Sequence, residues 1–249
     1  MPHARLRQNC DRNSIVPVTA VLTHGGDVRF WENYSRVIPG LKVLPAVNGY
    51  NHTETIEALL DSTLQFHGLS NGGKKWGKLA TFLTKYRMLE YQVKHQIGFQ
   101  VTLEDDLILH ESFASWLDRG CTLFERNPGI SLIQLSQYAE VLLTSLRGAQ
   151  HLIQLIRQYG IRKNDDQQLI DPHVMGRKQR DTLKLPMPAN AMERPYILGR
   201  LTNAPHKGSI FMTPKMTWAE VALLRLLTVP EARSLPSFGN PKRFDLALW

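Results

Sequence analysis

Cysteine is almost missing from this chain. Cys10 and Cys121 are the only two in 249 residues, and neither stands in a Cys-x-x-Cys or histidine-rich spacing. Two are too few for a disulfide framework, so the expectation is reduced thiols, no structural zinc and a reducing, cytoplasmic setting. Long apolar runs are missing as well: none reaches the roughly 18 residues that a membrane span needs. Met1 to Ser14 is polar where a signal peptide would place its apolar stretch, so a soluble, non-secreted protein is expected. There are no internal repeats, no low-complexity tract, no heptads and no glycine loop ending in Gly-Lys-Ser/Thr, the Walker-type phosphate cradle. Basic residues outnumber acidic ones by 30 to 22, a formal charge of +8. They are dispersed (Lys74-Lys75, Lys78, Lys85, Arg87, Arg162-Lys163, Arg177-Lys178, Lys242-Arg243) and do not interleave with aromatics as a nucleic-acid face does. That leaves an anionic small substrate or an anionic membrane surface as readings of the charge, with no nucleic-acid partner.

What the chain does contain is a 43% hydrophobic composition, enough for a sizeable core. Val18 to Leu22 reads as a core strand ended by Thr23-His24-Gly25-Gly26-Asp27. Val28 to Ile38 has helical spacing, and Leu41 to Val47 reads as a second strand ending at Asn48-Gly49. Strand, helix, strand in that order implies a parallel crossover. Thr53 to Phe66 and Gly77 to His95 read as helices, the second placing Leu79, Phe82, Leu83, Tyr86, Leu89 and Val93 on one face. Further on, Phe99 to Leu103 and Ser131 to Ser136 read as strands, and Tyr138 to Leu146 as a strand or an extended pair. Phe113 to Phe124, Gly148 to Tyr159, a short stretch from Asp165 to Ile170, and Thr217 to Leu227 read as helices. Leu183 to Met212 is expected to be irregular, with a possible last strand at Ser209 to Met212. The implied organisation is a disordered lead over 1–17, a catalytic domain over 18–212, and a helical appendage or the start of a further unit over 213–249.

The most informative feature is Glu104-Asp105-Asp106, three acids directly after the apolar run Phe99 to Leu103. Carboxylates that close repel each other and resist desolvation unless a cation or hydrogen-bond donors compensate. A divalent metal with oxygen ligands, Mn²⁺ or Mg²⁺, is the simplest compensation, and the carboxyl ends of strands are where open α/β sheets bind ligands. The plain alternative is a solvated acidic turn.

The segments Gly77-Lys-Leu-Ala-Thr-Phe-Leu-Thr-Lys85, Val101-Thr-Leu-Glu-Asp-Asp-Leu-Ile-Leu109 and Ala139-Glu-Val-Leu-Leu-Thr-Ser-Leu-Arg-Gly-Ala-Gln-His-Leu152 resemble the lipopolysaccharide glycosyltransferase family. They are also similar to the small glycosyltransferase domains of large algal-virus proteins. The resemblance covers residues 18 to about 175. It departs from the family at Thr84-Lys85, where the family has Ser-His, and at Asp165-Asp166 and Asp171-Pro-His173, where the family has one Asp.

The resemblance implies a GT-A fold, a Rossmann-like α/β architecture with a mixed, mostly parallel sheet flanked by helices. It implies a metal-dependent hexosyl- or deoxyhexosyltransferase. Such an enzyme passes a sugar from a nucleoside-diphosphate sugar, UDP-sugar favoured, to a hydroxyl of a glycan or glycoconjugate, with inversion favoured. Asp106 is then the metal ligand, with Glu104 and His206 as further ligands. Thr23, His24, Gly25 and Asn48 would form the base and ribose pocket. Glu104 and Asp105 would approach the ribose, the sugar or the metal's water shell, and Lys78, Lys85 and Lys207 would serve the diphosphate. An inverting transfer needs a general base, and Asp166 or Asp165 is the candidate. Each has a plain alternative: surface lysines for Lys78 and Lys85, helix-capping acids for Asp165 and Asp166, a loop residue for His206 or His173, and a core indole for Trp76. Two other readings compete, a metal-dependent nucleotidyl or phosphoryl enzyme and a carbohydrate- or nucleic-acid-binding module in which the acids are structural.

Overall fold

Ile15–Val21 forms β1, a run of β-branched and small apolar residues buried along nearly its whole length. That composition suits a strand covered on both faces. In the computed structural model the described residues are 10–22, 38–69, 75–105, 107–109, 112–127, 129–136, 139–170, 182–184, 196–198 and 214–229. Within them the further elements are β2 (Lys42–Pro45), α1 (His52–Asp61), α2 (Trp76–Lys94), β3 (Phe99–Leu103) and β4 (Leu107–Leu109). There follow α3 (Phe113–Arg126), β5 (Leu132–Gln134), β6 (Val141–Ser145), α4 (Leu146–Tyr159) and α5 (Asp165–Ile170). The last are β7 (Thr182–Lys184), β8 (Tyr196–Leu198) and α6 (Trp218–Leu227).

Six strands make one sheet in the order β2-β1-β3-β6-β5-β7, and β4 and β8 form a separate antiparallel ribbon. β1 is parallel to both β2 and β3, and β5 is parallel to β7. β6 alone runs against its neighbours β3 and β5. This is the mixed, mostly parallel α/β class expected from the sequence.

Period-two alternation decides what each face of β3 meets. Phe99, Val101 and Leu103 join Trp116, Cys121 and Phe124 of α3 in one apolar cluster. The other face meets α2 through a polar seam: Gln100 Nε2 donates to the Met88 carbonyl at 3.1 Å, and Gln92 Nε2 donates to the Ile97 and Thr144 carbonyls at 3.2 and 3.1 Å. Thr144 Oγ1 donates back to Gln92 Oε1 at 2.6 Å. Buried amides bonded in this way fix one register between helix and sheet, because any slip leaves them unpaired. α2 then packs on α4, where Arg157 donates to the Tyr86 hydroxyl at 2.9 Å and to Glu90 at 3.2 Å. Burial pushes the Tyr86 hydroxyl up to about 12, against the opposing pull of Arg157, so it stays protonated at neutral pH.

Several boundaries differ from the sequence reading. The lead expected to be disordered over 1–17 includes defined structure: a 3-10 turn, Arg12–Ser14, is closed by a reciprocal Asp11–Ser14 capping box, and β1 begins at Ile15. The helix expected through Phe66 stops at Asp61, where Thr63 takes φ 56°, and the chain continues extended so that Leu64 and Phe66 enter the core. The stretch expected to be irregular contains β7 and β8, which gain their ladders from β5 and β4 far away in sequence. α6 is not an appendage: Val221 and Leu224 lie in the same core as α2 and α4, and Thr228 Oγ1 accepts from the Phe66 N–H at 2.9 Å. Cys10 and Cys121 are not two thiols but one disulfide, their Cα atoms 5.0 Å apart, which no local spacing could reveal. The helix expected over Val28 to Ile38, except for Ile38 itself, and the strand at Ser209 to Met212 lie outside the described residues.

Two glycines are needed for close approach. A Cβ on Gly49 would sit 2.9 Å from the Gly77 nitrogen, and one on Gly148 would meet the Ser131 backbone only 2.6 Å from its carbonyl carbon. Gly148→Ala should therefore lower stability by about 2 kcal/mol through overpacking against main chain, read as a fall in the urea midpoint at unchanged slope. An unchanged midpoint would mean that α4 can shift away without cost.

Candidate functional site

The sheet reverses its winding between β1 and β3. From β1 the chain moves outward to β2, then returns past β1 to place β3 on its other side. In open α/β sheets the carboxyl ends of the strands at such a switch point are the general ligand site. Because Thr19 is paired with Leu103, the exit of β1 at Val21 lies alongside Glu104 and Asp105. The topology thus brings the two strand ends singled out in the sequence to one edge. The β5–β6 connection reaches the same edge, since β5 runs parallel to β3 through β6, and the Glu104 N–H donates to the Glu140 carbonyl at 3.0 Å.

α2 runs antiparallel to β3, as its contacts show in sequence: Gln92 with Ile97, Met88 with Gln100, Lys85 with Glu104. Lys85 is 7% exposed, and its ammonium donates to Glu104 Oε1 at 2.7 Å and to the Ala139 carbonyl at 2.8 Å. Desolvating an ammonium is expensive unless a carboxylate and further acceptors surround it, which is the arrangement found. Lys85 is therefore neither a surface lysine nor a group aimed outward. It is a counter-ion and a brace. Its neighbour Thr84 braces the other side, accepting from the Val47 N–H at 2.9 Å while donating to the Ala80 carbonyl at 2.8 Å. The pair at which the chain departs from Ser-His thus fastens the loops after β2 and β3 to one helix.

The other expected residues are placed as follows. Asp105 is exposed at the edge, and Lys78, half-buried, precedes Lys85 by seven positions, about 10 Å along the helix and beyond the strand ends. Asn48 stands at the end of the β2 loop, but its side-chain oxygen accepts from the Tyr50 N–H at 3.0 Å and its own N–H donates to Glu54 Oε1 at 3.0 Å, so it builds an Asx turn. Asp165 and Asp166 open α5, whose Leu169 lines a small internal gap together with Lys85, Thr102, Leu142 and Leu152. Thr23, His24, Gly25, Asp106, His173, His206 and Lys207 lie outside the described residues. Trp76 is 1% exposed and stacks on His52 at 4.3 Å with 17° between planes, so it belongs to the core and not to a sugar platform.

The sequence reading passed over Glu140, 6% exposed, and Ser136, fully buried, at the β5–β6 turn. Ser136 Oγ accepts from the Val141 N–H at 3.0 Å and holds that turn closed. The signal for Glu140 was present: an acid directly beside an apolar strand, the same pattern as Glu104 after β3.

Among the described residues no three His, Cys, Asp or Glu side chains gather where a metal ion could be held. The oxygen-only donors at the β3 end suit Mn²⁺ or Mg²⁺ in kind, and one oxygen of Glu104 is taken by Lys85. No helix of the described residues is long and apolar enough to cross a membrane.

No protein-family model matches the chain, and no curated protein matches it. Among solved structures, mouse xyloside xylosyltransferase 1 in its apo form is similar at 12% identity and a TM-score of 0.37, over 71% of this chain and 73% of that one.

Removing the ammonium alone strands a half-buried carboxylate. Lys85→Met is expected to cost about 1–3 kcal/mol, and the double variant with Glu104→Gln to recover part of it, with a coupling of about 1 kcal/mol or more. Chemical denaturation of the four proteins measures the cycle. Strict additivity would show that the pair contributes nothing beyond its packing.

Proposed function

We propose that the chain is a glycosyltransferase that takes a sugar from a nucleoside-diphosphate donor and passes it to a hydroxyl of a glycan or glycoconjugate. The supporting observation is the meeting of the β1 and β3 carboxyl ends at the switch point, with the acidic turn there and its first acid held by a buried lysine. A nucleotide sugar suits that edge: the departing diphosphate is anionic, and the turn carries the acids through which a divalent cation is held. Asp106 and Asp105 are the residues that would hold Mn²⁺ or Mg²⁺, which when bound would stabilise charge building on the phosphates as a Lewis acid.

The chain's own residues have separate roles in this reading. Glu104, oriented by Lys85, fixes the path of the turn. Lys78, overhanging the strand ends, brings positive charge toward the phosphates, together with Lys207 and with His206 as a further ligand. Thr23, His24 and Gly25 contact base and ribose, beside the Asn48 turn. Asp166, or Asp165, removes the proton of the attacking hydroxyl, the step that an inverting transfer requires of a general base. UDP is the favoured nucleotide and a hexose or deoxyhexose the favoured sugar, on the resemblance alone.

A thermal-shift panel of UDP-, GDP-, CMP- and dTDP-sugars with and without Mn²⁺ tests the donor half. One nucleotide class is expected to raise Tm only with metal, and Asp106→Ala to abolish the shift, since only ligand bound to the folded state stabilises it. Shifts unchanged in Asp106→Ala would remove that residue from the site. Shifts without any sugar transfer would favour a binding module. For the acceptor half, Asp166→Asn should leave the donor-induced shift intact while turnover falls at least about 100-fold, the usual weight of a general base. Retained turnover places the base elsewhere.

A further inference from the structure

The Cys10–Cys121 bond joins residues 111 apart in sequence and ties the turn leading into β1 to the middle of α3. Its setting is that of a permanent cross-link. Cys10 is 7% and Cys121 5% exposed, and both lie in the apolar cluster of Ile15, Phe99, Val101 and Phe124. A reductant can attack only a sulfur it can reach, so this bond is shielded while the fold is closed. The contact is fastened beside the sulfurs as well. Arg12 pairs with Asp118 at 3.1 Å, one helical turn before Cys121, and the Asp11–Ser14 capping box fixes the chain directly after Cys10. A cross-link over so long a loop removes much of the freedom of the unfolded chain and adds correspondingly to stability.

We propose that this protein is completed by thiol oxidation and works in an oxidising compartment, in place of the cytoplasm that its low cysteine content suggested. Buried structural disulfides persist where thiol reductants do not maintain free cysteines. The step is balanced by exchange: the two thiols give up their protons, the S–S bond forms, and the electron pair reduces the disulfide of a thiol–disulfide oxidoreductase to two thiols. Glycosyl transfer is not required for this inference. If that reading holds, the acceptor is a glycan or glycoconjugate carried through the same compartment.

The test is to trap thiols in cells expressing the whole chain by rapid acid quenching, alkylate, and read the peptides containing Cys10 and Cys121 by mass spectrometry. A single linked peptide pair with no alkylation of either cysteine is expected. Stoichiometric alkylation of both would overturn the proposal. Independently, purified oxidised protein should lose roughly 10 °C of Tm on full reduction, with Cys10→Ser/Cys121→Ser matching the reduced value and not responding to reductant. An unchanged Tm on reduction would equally overturn it. Neither readout depends on donor or acceptor, so a failed transfer assay leaves this result standing.

Discussion

A buried ammonium between a carboxylate and a main-chain carbonyl is the contact on which the candidate site rests. Lys85 is nearly excluded from water, and it joins two different loops, through Glu104 after β3 and Ala139 ahead of β6. An ion pair of this kind adds modest stability at best, because desolvation offsets most of the attraction. Its effect is on geometry. A lysine that must satisfy both acceptors allows one placement of the acidic turn against the β5–β6 connection, and the adjacent Thr84 applies the same constraint to the loop after β2. One helix thus carries the relative positions of three loops at the carboxyl edge.

The polar seam below Lys85 explains why that helix can do so. Gln92, Met88 and Gln100 set the level of α2 against β3, and the glycine contact of Gly49 on Gly77 lets the start of the helix press against the Asn48 turn. The opposite face of the sheet packs mainly apolar side chains against α3, to which the disulfide ties the entrance of β1. Both faces bury apolar clusters; on the α2 side polar contacts also set the register, and on the α3 side a covalent tie is added.

Much of this was legible in order along the chain. The period of 3.6 gave α2 to within a residue, and short apolar runs gave β3 and β6, because both strands are buried almost throughout. Glu104-Asp105 stood out as acids after a buried strand, and the strand is there. Short elements escaped: β4, β7 and β8 are three residues each and owe their conformation to partners remote in sequence. The end of α1 escaped because Leu64 and Phe66 keep an apolar pattern that an extended segment satisfies as well as a helix.

The sequence by itself determined the class of fold and the acidic turn, since burial periodicity and strand-end charge are local properties of neighbouring residues. Tertiary structure alone decided that Lys85 faces Glu104 and not solvent, that Asn48 closes its own turn, that Glu140 is buried at the same edge, and that Cys10 meets Cys121. Each of these is a pairing across tens of residues or more, or a choice between water and a neighbour. Such choices are made only when desolvation, packing and chain entropy are settled together in the folded chain.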